Sequence, residues 1–94
     1  MEIIWRQTAL NDLKTIRAFI AQDNAAAADN VSAAIRTAIT QLGQHPELGH
    51  AGRVDGTREL AIPHMPYIVG YRVVESRVHI LTVIHTSRQW PERL

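Results

Sequence analysis

The spacing of apolar positions changes several times along this chain, and each change marks an element. Positions 2–6 (EIIWR) alternate, with Ile3 and Trp5 on one face, and read as a short strand. Leu10, Leu13, Ile16, Phe19 and Ile20 then recur at helical spacing. This predicts a helix to about Gln22, with Thr8 as its N-cap and Asp12, Lys14 and Arg17 on its wetter side. Asp23 and Asn24 interrupt, and either can cap a second helix whose stripe is Val31, Ala34, Ile35, Ala38, Ile39 and Leu42. Gly43 fits the C′ position of that helix, and Pro46 lies just past its end.

The pattern then shifts to strands. Positions 45–56 (HPELGHAGRVDG) read as a loop of a length at which loops are often functional. Positions 57–62 alternate, with Arg58, Leu60 and Ile62 on one face. After a turn at 63–66, a strand over 67–74 places Tyr67, Val69, Tyr71 and Val73 opposite Ile68, Gly70, Arg72 and Val74. Glu75 and Ser76 turn into positions 77–85, the most β-prone run, which is apolar on both faces and so reads as a central strand. By alternation, His79 and His85 share one of those faces. The expected fold is α+β, in the order β-α-α-β-β-β: a helical hairpin packed on a small, mostly antiparallel, twisted sheet. The last three strands form a meander, and the first strand lies beside the last. All of 1–94 is expected to be one domain.

Composition narrows the chemistry. The chain has 94 residues, a net charge of +1 and no cysteine, which excludes disulfides, a thiol nucleophile and cysteine metal sites. Residues 1–48 carry four basic and five acidic side chains, and residues 49–94 carry six arginines and four acidic ones. The positive charge thus leans C-terminal and is all arginine there, which suits bidentate contact with phosphate or carboxylate. No apolar run approaches the ~18 residues of a membrane span, and no signal segment is evident, so a soluble cytoplasmic chain is expected. His45 and His50 match no zinc spacing, and neither a metal nor another cofactor is expected.

The end of the last strand concentrates candidate residues, since His85, Arg88 and Trp90 lie close together where the strand gives way to polar sequence. Each also has a plain structural role available. His85 could bond a backbone carbonyl, Trp90 could fold back to close the core, Arg58 could pair with Glu59 of a neighbouring strand or with Asp55, and Trp5 belongs in the core.

Three segments, 56–60 (GTREL), 66–73 (PYIVGYRV) and 83–91 (VIHTSRQWP), together with the element order, resemble the RelE/ParE toxins of type II toxin–antitoxin systems. The C-terminal half looks closer to the ParE-like branch, in which a His, an Arg and a Pro close the last strand. The resemblance implies a toxin, with plasmid stabilisation among its roles, neutralised by a small, partly disordered, DNA-binding cognate antitoxin. It implies inhibition of DNA gyrase, with Arg72, Arg88, Trp90 and Pro91 as target-binding residues. The alternative is a RelE-like, metal-independent endoribonuclease that cleaves ribosome-bound mRNA. There Arg58, His85 and Arg88 would be catalytic: His85 as base or acid, the arginines on phosphate, and Tyr71 or Trp90 stacked on a base. The chain departs from the RelE pattern in two ways: its only lysine is Lys14, and its tail carries Trp90 where a tyrosine is usual. A third reading is a chain without toxic activity that serves as a binding module or DNA-repressor partner.

Overall fold

The computed structural model describes residues 1–94. The elements are β1 (Glu2–Trp5), α1 (Gln7–Ala21), α2 (Ala25–Gln41), β2 (His50–Ala51), β3 (Arg58–Ala61), β4 (Tyr67–Val74) and β5 (Arg77–His85). The five strands form one sheet in the order β1-β5-β4-β3-β2. All neighbours are antiparallel except β1 and β5, which run parallel with Ile3 opposite Val78 and Trp5 opposite Ile80. The α+β class, the meander and the placing of the first strand beside the last are as expected. The short strand β2 is an addition: His50 and Ala51 pair with Glu59 and Arg58 inside the predicted loop, too briefly to show a period.

One cluster holds the fold together. Ala9, Leu13, Ile35, Ala38, Ile39 and Leu42 of the helical hairpin bury against Val69, Tyr71, Val78, Ile80 and Val83 of the sheet. Burial of such side chains contributes about 1.5–3 kcal/mol each for the larger ones. The Tyr71 side chain is anchored at its tip: its hydroxyl donates to the Pro46 carbonyl at 2.6 Å and accepts from the Gly49 N–H at 2.8 Å. That pins the start of the loop to the middle of the sheet. A Cβ on Gly49 would come within 2.7 Å of the Tyr71 ring and of the Glu59 carbonyl, so only glycine fits there.

Several local expectations are corrected. α1 starts one residue before Thr8, with Arg6 as N-cap and no side-chain cap, whereas Asn24 does cap α2 by accepting from the Ala27 N–H at 2.9 Å. Gly43 follows the C-cap Leu42 without a left-handed φ, and its carbonyl accepts from the N-terminal amine. Asp12 leaves the wet side of α1 and turns to the sheet. Its carboxylate accepts from the Thr82 hydroxyl (2.6 Å) and the Val83 N–H (3.0 Å), filling in for a strand where β1 has ended. Phe19, counted in the core stripe, is 70% exposed.

The largest correction concerns β5. Its pairing with β4 runs Tyr71–Ile80 and then Gly70–Thr82, which leaves Leu81 as an extra residue. The bulge reverses which positions face the helices. Val78, Ile80, Val83 and His85 share the helix side, paired with Val73, Tyr71, Val69 and Tyr67, while His79 faces away beside Arg72. His79 and His85 therefore stand on opposite faces of the strand.

Candidate functional site

His85 ends β5 on the helix side of the sheet. Its ring meets Tyr67 edge-on at 5.3 Å between centroids. Its Nδ1 accepts from the Ser87 N–H at 3.0 Å and lies 2.7 Å from the Ser87 hydroxyl. A backbone N–H can only donate, so Nδ1 is the unprotonated nitrogen and Nε2 carries the proton of the neutral ring. The residue is thereby presented as a donor, with its one lone pair already engaged. Beside it opens a groove of about 490 Å³ bounded by Asp12, Ile16, Phe19, Tyr67, His85 and Arg88.

Arg58 is not part of this groove. It sits on β3 in the row of Tyr71 and Ile80, whereas His85 lies in the row of Tyr67. Four residues along the strands and two strand spacings across separate the two by roughly 16 Å. The Arg58 guanidinium is also engaged, donating to the Gly49 carbonyl at 2.9 Å rather than pairing with Glu59 or Asp55. Of the three residues expected for nuclease chemistry, the fold brings His85 and Arg88 together and leaves Arg58 apart. Tyr71 is fully buried and unavailable to stack on a base. Burial pushes its phenol pKa up, an effect opposed by the Gly49 hydrogen bond and by the Arg58 charge.

Beyond Ser87 the chain crosses to the other face of the sheet. Trp90 and Leu94 lie over Gly70, where a Cβ would come within 3.4 Å of the indole and 3.2 Å of Leu94. The Arg53 guanidinium covers the indole at 4.5 Å from its centroid. Arg53 also clamps Glu59, which is buried on this face, opposite the one on which alternation sets Arg58, Leu60 and Ile62. Trp90 thus folds back, but onto the face away from the helices rather than into the main core. The expected target-binding residues split between two faces: Arg88 is exposed beside the His85 groove, while Arg72, Trp90 and Pro91 lie on or beside the far face.

Phe19, Asp12 and Arg53 are the residues that pattern reading missed here. For Phe19 a signal was present: at about 100° per residue it lies about 120° round the helix from Leu13, at the margin of the stripe. Asp12 carried none, because its partners are remote strand groups, and Arg53 carried none, because its pairing with Glu59 and its place over Trp90 depend on how the loop and the tail fold back. No group of His, Asp and Glu side chains is arranged to hold a metal, and no helix is long and apolar enough to cross a membrane.

Residues 3–90 match the family described as ParE toxin of type II toxin-antitoxin system, parDE. A candidate toxin of Sinorhizobium fredii, Y4kP, is 44% identical over 98% of this chain and 95% of its own length. Toxin RelE2 of Caulobacter vibrioides is 31% identical over 93% of this chain and 97% of its own. A solved structure of the chromosomal ParDE TA system from P. aeruginosa has the same fold, with a TM-score of 0.84 at 22% identity over 93% of this chain and 97% of that one.

Proposed function

The chain belongs to the ParE toxin family of type II toxin–antitoxin systems, and from that premise we propose that it inhibits DNA gyrase as a binding protein, through the segment 88–91. The observation that carries the reading is the state of His85. A general base needs a free lone pair within reach of the proton it takes, and the only one on this ring accepts from Ser87. Arg58 is committed to Gly49 at the far end of another strand. What stands free at the end of β5 is the exposed Arg88, from which the chain runs on to the half-buried Trp90 and Pro91. Arginine and aromatic side chains dominate interface energies.

The partner that neutralises it is a cognate antitoxin, small, partly disordered and DNA-binding. A segment of it folds on binding, against the groove where Phe19 stands exposed. Gyrase and antitoxin both place the protein in the cytoplasm.

The test pairs two assays on one purified sample: inhibition of gyrase supercoiling with accumulation of cleaved DNA, and cleavage of mRNA on programmed ribosomes. Gyrase inhibition with intact RNA is expected, retained in His85→Ala and lost in Arg88→Glu and on truncation after Ser87. RNA cleavage with unaffected gyrase, abolished by His85→Ala, would replace the reading with the endoribonuclease one.

A further inference from the structure

The face of the sheet turned away from the helices carries a band of arginines that lies outside the segment 88–91. Ile4, His79 and Arg72 stand side by side across β1, β5 and β4. Arg6, two residues beyond Ile4, donates from Nε to His79 Nδ1 at 3.2 Å. The C-terminal tail adds a third arginine. Arg93 and Arg6 bound a recess of about 320 Å³ together with Thr8, Thr82 and Pro91.

None of these arginines is neutralised. Two carboxylates on this face are taken elsewhere, Glu2 by Arg77 at 3.2 Å and Glu59 by Arg53, and the exposed Glu92 of the tail makes no ion pair with these arginines. Asp12, below the recess, directs its charge to the Thr82 hydroxyl and the Val83 N–H. The Arg72 Nε is shielded from solvent yet has no hydrogen-bond partner in the protein. The terminal nitrogens of this partly exposed side chain, which no protein group engages, are the ones open to an acceptor from outside.

We propose that Arg72, Arg6 and Arg93 form a contact for the phosphate backbone of duplex DNA. Planar guanidinium forks match phosphate oxygens, and Arg6, two residues past the position level with Arg72 and two strand spacings across, has its Cα about 12 Å from that of Arg72, enough to meet separate phosphates. A binder of single strands needs exposed aromatic faces on which bases stack. Here Trp90 is sandwiched between Gly70 and Arg53, Tyr71 is buried, and Trp5 packs against the core under Arg36. The contact is therefore to backbone and independent of sequence. It does not rest on the gyrase reading, and it is read without gyrase present.

The test is fluorescence anisotropy of a labelled duplex of about twenty base pairs with the full chain alone. Three phosphate contacts give a slope of about −2.7 in log affinity against log salt, or about a 40-fold loss between 50 and 200 mM. Each of Arg6→Gln, Arg72→Gln and Arg93→Gln is expected to weaken binding to any sequence and to lower the slope by about 1. Arg36→Gln, on the helical side, leaves both unchanged. Arg6 and Arg93 are exposed, so their double variant keeps the test intact should Arg72→Gln disturb folding. Absence of salt-dependent binding, full binding by the double variant, an equal loss in Arg36→Gln, or tighter binding of single-stranded oligo-dT would each overturn the proposal.

Discussion

Arg53 holds Glu59 at both carboxylate oxygens: its backbone N–H donates to Oε2 at 2.7 Å, and its guanidinium Nε lies 3.3 Å from Oε1. Only the carboxylate is buried, with the Glu59 side chain 1% exposed and Arg53 more than half exposed. Glu59→Ala is therefore expected to cost about 1–3 kcal/mol, less than the loss of one partner from a fully buried pair. The urea midpoint reads this directly. Arg53→Ala retains the backbone donor, so a double-mutant cycle isolates the guanidinium, expected to be worth no more than about 1 kcal/mol.

Tyr71 gives the fold a dependence on alkaline pH. Its phenol pKa is raised in the folded chain by burial, so above the ordinary phenol value the unfolded chain binds fewer protons than the native one. Stability is then unaffected below about pH 10 and falls as pH rises beyond it. Urea midpoints between about pH 9 and 11 should fall for the wild type, and the fall should be smaller in Tyr71→Phe. That variant also loses the hydroxyl's bonds to Pro46 and Gly49 at all pH values, at about 1 kcal/mol each.

Asp12→Ala removes the acceptor for the Val83 N–H and the Thr82 hydroxyl at the open edge of β5. A loss of about 1–3 kcal/mol is expected. Amide hydrogen exchange should quicken at Val83 while Val78, still flanked by β1, stays protected. Equal exchange at both would show that the carboxylate does not stand in for a strand.

Phe19→Ser separates folding from association. The side chain is 70% exposed, so the unfolding midpoint is expected to move by no more than about 0.5 kcal/mol in free energy. Antitoxin affinity, measured by calorimetry, is expected to drop about 10-fold or more if the groove is the docking site. In the wild type the antitoxin should raise the melting temperature.

The helical hairpin, the meander and the neighbourhood of first and last strands were legible because each rests on local periodicity or short turns. The faces of β5 were not. A single bulge at Leu81 inverts alternation, so His79 and His85 part although their spacing is even. Register across three strands decided that Arg58 and His85 are apart, and no spacing in the chain encodes register. Glu59 defied pattern because its burial is made by Arg53 and by a tail that returns from thirty residues on. Trp90 was expected either in the core or exposed, and it took a third place, as the cover of Gly70.

The position of β5 between β1 and β4 also governs how the molecule forms. β4 with β5, and α1 with α2, join neighbouring segments and can assemble early. β5 gains its second neighbour only when β1 meets it, joining positions 73 apart as in the Arg6–His79 contact. Closing so long a loop is an entropic barrier met before any pairing rewards it. The same closure brings Arg6 to His79 and Asp12 to Val83. On this order the β1–β5 seam is expected to close last, and substitutions in it to slow folding.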